Sequence, residues 1–382
     1  MRTDPGGVRR LCVFARLDAP GIGDLVLRNI FINLLREAQP QATITLLCSG
    51  ATHRAHQGVL RQHGYVDNVI ACPDPAVTSA GYSFPVTFLR QLRERAFDLC
   101  LVDPDSVGLD ASHAQAAGIA HRVALPDGGP GDRYITHPVR MPPPALGRSD
   151  LFEYATGLAA ALGSRSRISA ASVVPAFPYQ RGVSPYDEGH AGPRVVIHPG
   201  GEPRWNRRWP AERYAELCGL LSDAGAQVML VGSADERADL RRLRDMVPGG
   251  GRPPTVLVPA NLDELATGLA ASDLLVGNDS APAHVAAALR VPTVVLYGPT
   301  QTEHLWSRIY PRHRAVSLRY PCRSLRRPAG DPAAVTCDKR CATAYTRGGG
   351  YPRCLVDLDV ATVWVAVCEQ LGRERLARWG HR

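Results

Sequence analysis

The sequence predicts an α/β protein made of two doubly wound halves, and three observations carry that expectation. Short runs rich in Val, Leu and Ile recur along the chain, and most are followed by a stretch with helical periodicity. Such alternation marks parallel strands joined by crossover helices. The pattern breaks once, in a Pro-, Gly- and Ser-rich stretch over 173–193, and then starts again. A chain of 382 residues also exceeds what one hydrophobic core ordinarily serves.

Leu11 to Leu17 reads as the first strand, a nearly unbroken apolar run suited to a sheet covered on both faces. The turn Asp18-Ala19-Pro20-Gly21-Ile22-Gly23-Asp24 follows, and Leu25 to Glu37 has the spacing of an amphipathic helix. Asp24 thereby falls at a helix start above a strand end, where open α/β sheets bind ligands. Capping that helix is the plainer role for it. Thr43 to Cys48, Asn68 to Cys72, Phe97 to Asp103 and His121 to Leu125 read as further strands, with helices at Phe88 to Arg95 and Ala111 to Ala120. Residues 126–147 read as a loop and Asp150 to Leu162 as a helix.

The second alternation begins at Val195-Val196-Ile197-His198. Helices are expected at Trp209 to Asp223, Asp235 to Met246 and Leu262 to Ser272, and strands at Gln227 to Val231, Thr255 to Val258, Asp273 to Val276 and Pro292 to Leu296. Leu305 to Leu355 reads as irregular, and Asp357 to Trp379 as a closing helix. The expected domains are therefore 1–175, a linker over 176–193, a second domain over 194–355, and a C-terminal helix in 356–382. The halves look alike in pattern, without a residue-level repeat.

The most informative stretch is Val276-Gly277-Asn278-Asp279-Ser280-Ala281-Pro282-Ala283-His284. A buried strand feeds abruptly into an Ala-rich helix, with Ser280 as N-cap and Pro282 in the first turn. Helix N–H groups and the helix dipole at that point favour an anion, most often a phosphate. His284, one turn in, can face the same anion. Asp279 can accept hydrogen bonds from hydroxyl groups.

Composition excludes several classes. The net charge is +8, yet Lys339 is the only lysine; arginine carries the charge, with no block dense enough for a nucleic-acid arm. The basic surface suits an anionic substrate or a peripheral membrane contact. No apolar run approaches the ~20 residues of a membrane span, and the N-terminal residues lack a signal-peptide core, so a cytoplasmic enzyme is expected. The glycines after the first strand do not form a dinucleotide fingerprint, which argues against a nicotinamide enzyme.

Several motifs, in order, carry a resemblance to a known family. They are Gly21-Ile22-Gly23-Asp24, His198-Pro199-Gly200-Gly201, Arg207-Arg208-Trp209-Pro210 and Leu230-Val231-Gly232-Ser233-Ala234-Asp235-Glu236, then the Gly277–His284 stretch and Leu296-Tyr297-Gly298-Pro299-Thr300. Over nearly its whole length the chain resembles glycosyltransferase family 9, the ADP-heptose:lipopolysaccharide heptosyltransferases and their relatives. The resemblance implies the GT-B fold, two Rossmann-like domains facing across a cleft, with the acceptor on the N-terminal domain and the nucleotide sugar on the C-terminal one. It implies inversion at the transferred sugar and no cofactor or metal, the substrate being a nucleoside-diphosphate sugar such as ADP-heptose. Asp24 matches the family's proposed general base, with Gly23 beside the acceptor. Asp279, Ser280, Ala281 and His284 would hold the diphosphate and sugar, Glu236 or its neighbour Asp235 the ribose, and the backbone around Ala260 the base. Arg207 stands where the family usually has lysine, keeping the charge and adding a planar fork of donors. Ala281 replaces a frequent glycine. Cleft closure would place a hinge in 173–193.

Asp103-Pro104-Asp105 has metal-like spacing, but a β–α turn explains it equally well. Cys322, Cys337, Cys341 and Cys354 lack a regular two-by-two zinc pattern and are expected to be structural thiols ahead of a metal site or a disulfide. The acceptor is open between a lipopolysaccharide-type glycan and a secondary-metabolite scaffold, and the oligomeric state is open too. Two other readings stand beside transfer: a GT-B-type sugar-nucleotide epimerase, and a degenerate scaffold that binds nucleotide sugar without turnover.

Overall fold

A computed structural model describes residues 9–14, 22–50, 53–54, 66–74, 76–78, 81–103, 111–126, 128–141, 150–163, 177, 179–186, 189–201, 207–298, 309–310, 312–318 and 352–372. The chain divides into two compact units, Met1–Pro178 and Tyr179–Arg382.

The first unit opens with β1 (Arg10–Phe14), α1 (Ile22–Ala38), β2 (Thr43–Ser49) and β3 (Asn68–Cys72). A small antiparallel hairpin follows, β4 (Ala76–Thr78) with β5 (Gly81–Ser83). Next come α2 (Val86–Glu94), β6 (Leu99–Val102), α3 (Ala111–Ala116), β7 (His121–Ala124), β8 (His137–Pro138) and α4 (Asp150–Ala161). The sheet runs in the order β3-β2-β1-β6-β7-β8, every pair parallel. Leu11, Cys12, Val13 and Phe14 are fully buried, as a strand covered on both faces requires. α1 packs on α4, with the Phe31 and Tyr154 rings 4.8 Å apart at 72°.

The second unit contains β9 (Arg194–His198), α5 (Ala211–Asp223), β10 (Gln227–Val231), α6 (Arg237–Asp245), β11 (Thr255–Leu257), α7 (Leu262–Ala270), β12 (Leu274–Asn278), α8 (Ala281–Ala288), β13 (Thr293–Leu296), β14 (His313–Val316), α9 (Arg353–Val356) and α10 (Val360–Leu371). Its sheet order is β11-β10-β9-β12-β13-β14, again wholly parallel. α5 buries Tyr214, Leu217, Cys218 and Leu221 at i, i+3, i+4 and i+7, so its apolar stripe alone sets which face meets the core. α10 contributes Val360, Val363, Val367 and Leu371 to the same core. Residues 180–182 belong to this unit as well: the Gln180 N–H donates to Asp263 (3.0 Å) and the Gly182 N–H to Thr267 (2.9 Å) on α7.

Apart from the hairpin, both units have one strand order, third-second-first-fourth-fifth-sixth. In that winding the direction of strand addition reverses beside the first strand, and ligands bind over the carboxyl ends at the reversal. The reversal lies between β1 and β6 in the first unit and between β9 and β12 in the second. A residue-level repeat, unexpected from the sequence, marks the same place. Asp98, before β6, accepts the N–H groups of Arg9 and Arg10 at 2.8 and 2.9 Å. Asp273, before β12, accepts the N–H of Arg194 at 2.9 Å.

The expected elements differ from the structure in several places. α1 begins at Ile22, three residues early, because Ile22 joins the buried face; Asp24 therefore lies inside the first helical turn. The loop expected over 126–147 contains a 3₁₀ turn (Pro130–Tyr134) and β8, and the irregular stretch after Leu305 contains β14. The helix expected from Asp235 splits into a 3₁₀ turn (Ala234–Glu236) and α6. Pro210 ends the extended approach to α5, which begins at Ala211 and not at Trp209. The helix expected from Asp357 begins at Val360, since Asp359 is its N-cap and accepts the Thr362 N–H at 2.8 Å. No helix among the described residues is long and apolar enough to cross a membrane.

Candidate active site

The carboxyl ends of β9, β10, β11 and β12 gather the sequence-expected donor residues of the second unit. β12 ends in Asn278, which is fully buried and bonds in three directions. Its amide nitrogen donates to the carbonyls of Pro199 (2.8 Å) and Gly200 (2.9 Å), and its amide oxygen accepts the N–H of Trp209 (3.1 Å). One side chain thus ties the turn after β9 to the start of α5. Trp209 is itself fixed, its indole N–H donating to the Leu358 carbonyl at 2.8 Å. Gly277 permits the close approach, because a Cβ there would lie 2.8 Å from the His198 carbonyl oxygen.

Asp279 follows on the bend into α8 and is 2% exposed. Arg207 meets it, one guanidinium nitrogen lying 2.9 Å from a carboxylate oxygen and 3.4 Å from the Asp279 carbonyl. The expected diphosphate-binding cation is therefore also the partner of the expected sugar-binding carboxylate. Ser280 occupies the N-cap position of α8, but its side chain makes no capping bond. Its hydroxyl donates to the Asn278 carbonyl (3.1 Å) and lies 3.0 Å from Nδ1 of His198. A hydroxyl has one proton to give, so His198 is the donor in that second contact. The expected side-chain cap is thus corrected: Ser280 keeps the N-cap position, while of the first-turn residues Pro282 has no N–H and the Ala283 N–H donates to the Ser280 carbonyl at 3.1 Å. Ala281 takes the place of the frequent glycine without strain, as the first helical residue and with no left-handed φ. His284 is buried, its Nδ1 3.1 Å from the Tyr310 hydroxyl.

Glu236 closes a capping box on the turn after β10, accepting the N–H and hydroxyl of Ser233 at 2.9 and 3.0 Å. Its other oxygen lies 3.4 Å from Arg208. Gly200 makes room for it: a Cβ there would fall 2.1 Å from that carboxylate oxygen. A groove of roughly 180 Å³ opens here, lined by Gly200, Arg208, Trp209, Glu236 and Leu240 among others. Ala260 is exposed beyond β11; its N–H donates to Glu264 at 2.7 Å, just ahead of Asn261, the N-cap of α7.

Electrostatics follow from burial. Burial depresses His284 to about 3, with the Arg207 charge adding to the effect. Burial likewise brings His198 down to about 4, Glu236 opposing and Arg208 assisting, and His313 to about 3, with His284 assisting. Burial tends to raise Glu236, but His198, the Ser233 bonds and Arg208 outweigh it and hold the carboxyl below its usual range. All three histidines are neutral at neutral pH. An unfolded histidine titrates near 6.5, so between there and about 4 the unfolded chain binds protons that the folded chain refuses. Stability is present above pH 6.5 and falls as pH drops, by about 2 kcal/mol per histidine at pH 5. Thermal unfolding followed from pH 7 to 5 is expected to show that loss, and His313→Gln to reduce it by about a third. A melting temperature constant across the range would contradict the buried, neutral assignment.

In the first unit Gly23 and Asp24 occupy the first turn of α1, after β1 at that sheet's own reversal point. The Asp24 side chain lies outside the described residues. So do Pro104 and Asp105, while Asp103 is buried. Cys322, Cys337 and Cys341 also lie outside them, and Cys354 is buried in the core of the second unit. No cluster of metal-ligating side chains occurs among the described residues. The sequence did not single out Asn278, His198, Arg208 or Tyr310. The first three sit inside quoted motifs and could have been found there; Tyr310 carries no motif.

A sequence profile described as glycosyltransferase family 9 (heptosyltransferase) matches residues 86–328. Lipopolysaccharide heptosyltransferase 2 of Escherichia coli (strain K12) is 39% identical over 115 residues, 29% of this chain and 32% of that protein. Lipooligosaccharide heptosyltransferase 2 of Haemophilus influenzae is 34% identical over 114 residues, 29% of this chain and 33% of that protein. Each alignment spans about a third of the curated relative's length. The solved structure of E. coli ADP-heptose lps heptosyltransferase II is similar at a TM-score of 0.61 and 21% identity, over 96% of this chain and 99% of that one. An E. coli heptosyltransferase with ADP-2-deoxy-2-fluoro heptose is similar at 0.59 and 16%, over 94% and 99%. These likenesses establish the fold, two Rossmann-like domains of the GT-B class.

Proposed function

Because the chain belongs to glycosyltransferase family 9 (heptosyltransferase), whose profile covers residues 86–328, we propose that it transfers a sugar from a nucleoside diphosphate, ADP-heptose, to an acceptor hydroxyl with inversion. The observation that carries this reading is the grouping of Arg207, Glu236, Asp279, Ser280 and His284 over the strand ends at the second unit's reversal point. The titles of similar structures, one an ADP-heptose heptosyltransferase and one holding ADP-2-deoxy-2-fluoro heptose, suggest the donor.

The chemistry is a single displacement. The acceptor oxygen attacks the anomeric carbon, the bond from that carbon to the diphosphate oxygen breaks, and the acceptor proton passes to the Asp24 carboxylate. Negative charge builds on the departing diphosphate. The backbone N–H groups of Ser280 and Ala281 at the start of α8, with His284 and Arg207, would stabilise it and leave no step that calls for a metal. Glu236 would accept from the ribose hydroxyls, and the backbone at Ala260 would flank the base. The acceptor is a glycan or another hydroxyl-bearing scaffold.

The test is a thermal-shift and calorimetric panel of ADP-, GDP-, UDP- and dTDP-sugars, with and without chelator. ADP-heptose is expected to bind selectively and equally in both conditions, and His284→Ala to weaken it about tenfold or more, as loss of a hydrogen bond to a charged group does. Preference for another base would overturn the donor. Binding without acceptor-dependent release of ADP would turn the reading toward epimerase or scaffold.

A further inference from the structure

Behind His284 lies a chain of hydroxyls and imidazoles, buried except at the partly buried His313, that the displacement does not use. His284 Nδ1 is 3.1 Å from the Tyr310 hydroxyl, and the two rings meet edge-on at 6.1 Å and 64°. The Tyr310 ring packs 6.0 Å from that of His313. His313 is held at both nitrogens, Nδ1 by the Thr293 hydroxyl (2.7 Å) and Nε2 by the Tyr297 hydroxyl (3.0 Å). Thr293 and Tyr297 are completely buried in and just after β13. Hydroxyl contacts thus hold the His313 ring against which Tyr310 packs, and the Tyr310 hydroxyl meets His284.

A neutral imidazole has one N–H and one lone pair, and a partner on one nitrogen decides which faces the other way. Phenol O–H is a strong donor and the unprotonated imidazole nitrogen a strong acceptor. Burial, with the Asp279 charge nearby, raises Tyr310 well above its ordinary range and keeps its proton in place. A diphosphate oxygen can only accept, so His284 serves it only if Nε2 carries the hydrogen.

We propose that Tyr310 is a positioning residue that donates its hydroxyl proton to Nδ1 of His284 and so fixes this histidine as the Nε2–H tautomer, oriented to donate to the diphosphate. The proposal rests on the transferase reading for its purpose, but the tautomer is measurable without any sugar. With ¹⁵N-histidine-labelled protein, His284 is identified by its loss from the His284→Ala spectrum. Its Nδ1 is expected to resonate as a bare, pyridine-type nitrogen and Nε2 as a protonated one. Tyr310→Phe removes one oxygen, and the two resonances are expected to move toward each other. A protonated Nδ1 in the unaltered protein, or a spectrum unmoved by Tyr310→Phe, would overturn the proposal.

Donor binding supplies a second readout. Tyr310→Phe is expected to weaken donor binding several-fold, within the loss that His284→Ala causes, and to have no further effect in a His284→Ala background. An equal loss in both backgrounds would show that Tyr310 acts independently of His284 and would overturn the proposal. Should the protein transfer no sugar, the transferase reading fails while the spectrum still decides the tautomer.

Discussion

Arg207→Met is expected to destabilise the second unit by about 3 kcal/mol or more and to abolish measurable donor binding. The stability loss comes from Asp279. That carboxylate is 2% exposed and faces the Arg207 guanidinium at 2.9 Å. Breaking a buried pair by removing one partner costs roughly 3–5 kcal/mol, because the remaining charge stays out of water. The binding loss comes from Arg207 itself, whose charge would otherwise meet the diphosphate. The two effects separate in the double variant Arg207→Met/Asp279→Leu. Removing both charges is expected to restore most of the stability, since an apolar pair of similar volume packs without a desolvation cost, and to restore no binding. Urea denaturation and donor titration on the same preparations check both. A single variant as stable as the original protein would mean that water screens the pair.

Asp24→Asn is expected to leave donor affinity nearly unchanged and to cut turnover by about two orders of magnitude or more, the usual contribution of a positioned general base. Asn preserves shape and cannot take a proton. Asp24 lies in the first turn of α1, where an anion gains about 0.5 kcal/mol from the helix dipole. Neutralising it should therefore barely move the melting temperature. That small stability effect beside a large kinetic one distinguishes a base from a helix-stabilising carboxylate. A variant that turns over normally would remove Asp24 from the mechanism.

The parts of the fold legible in the sequence are those that physics makes repetitive. β1, β9, β10, β12 and β13 are unbroken apolar runs because both faces of their sheets are covered. β8 (His137–Pro138) and β14 (His313–Val316) were hidden because they are polar, lying at the outer edges where pairing and not side-chain burial defines the strand. At the candidate site, Asp279, Ser280 and His284 were visible as a strand–turn–helix signature. The contacts of Asn278 and His198 were not, since their partners lie 69 to 82 residues away in the chain. Tyr310 lies in a stretch that reads as irregular, and only the folded chain brings it to His284, 26 residues distant. That the Ser280 hydroxyl donates to the Asn278 carbonyl and accepts from His198, and does not cap α8, is a choice among neighbouring partners that no spacing rule decides.

The three bonds of Asn278 also bear on engineering. Its amide holds Pro199, Gly200 and Trp209, so the segments carrying Gly200, Arg207 and Arg208 share one anchor on a different strand. Transplanting either segment from a relative to change donor preference would move contact residues without their common support. A graft that exchanges the β9 turn, the α5 entry and the end of β12 together carries the anchor with it. In combinatorial terms, these three segments form one heritable module, and libraries should vary them jointly.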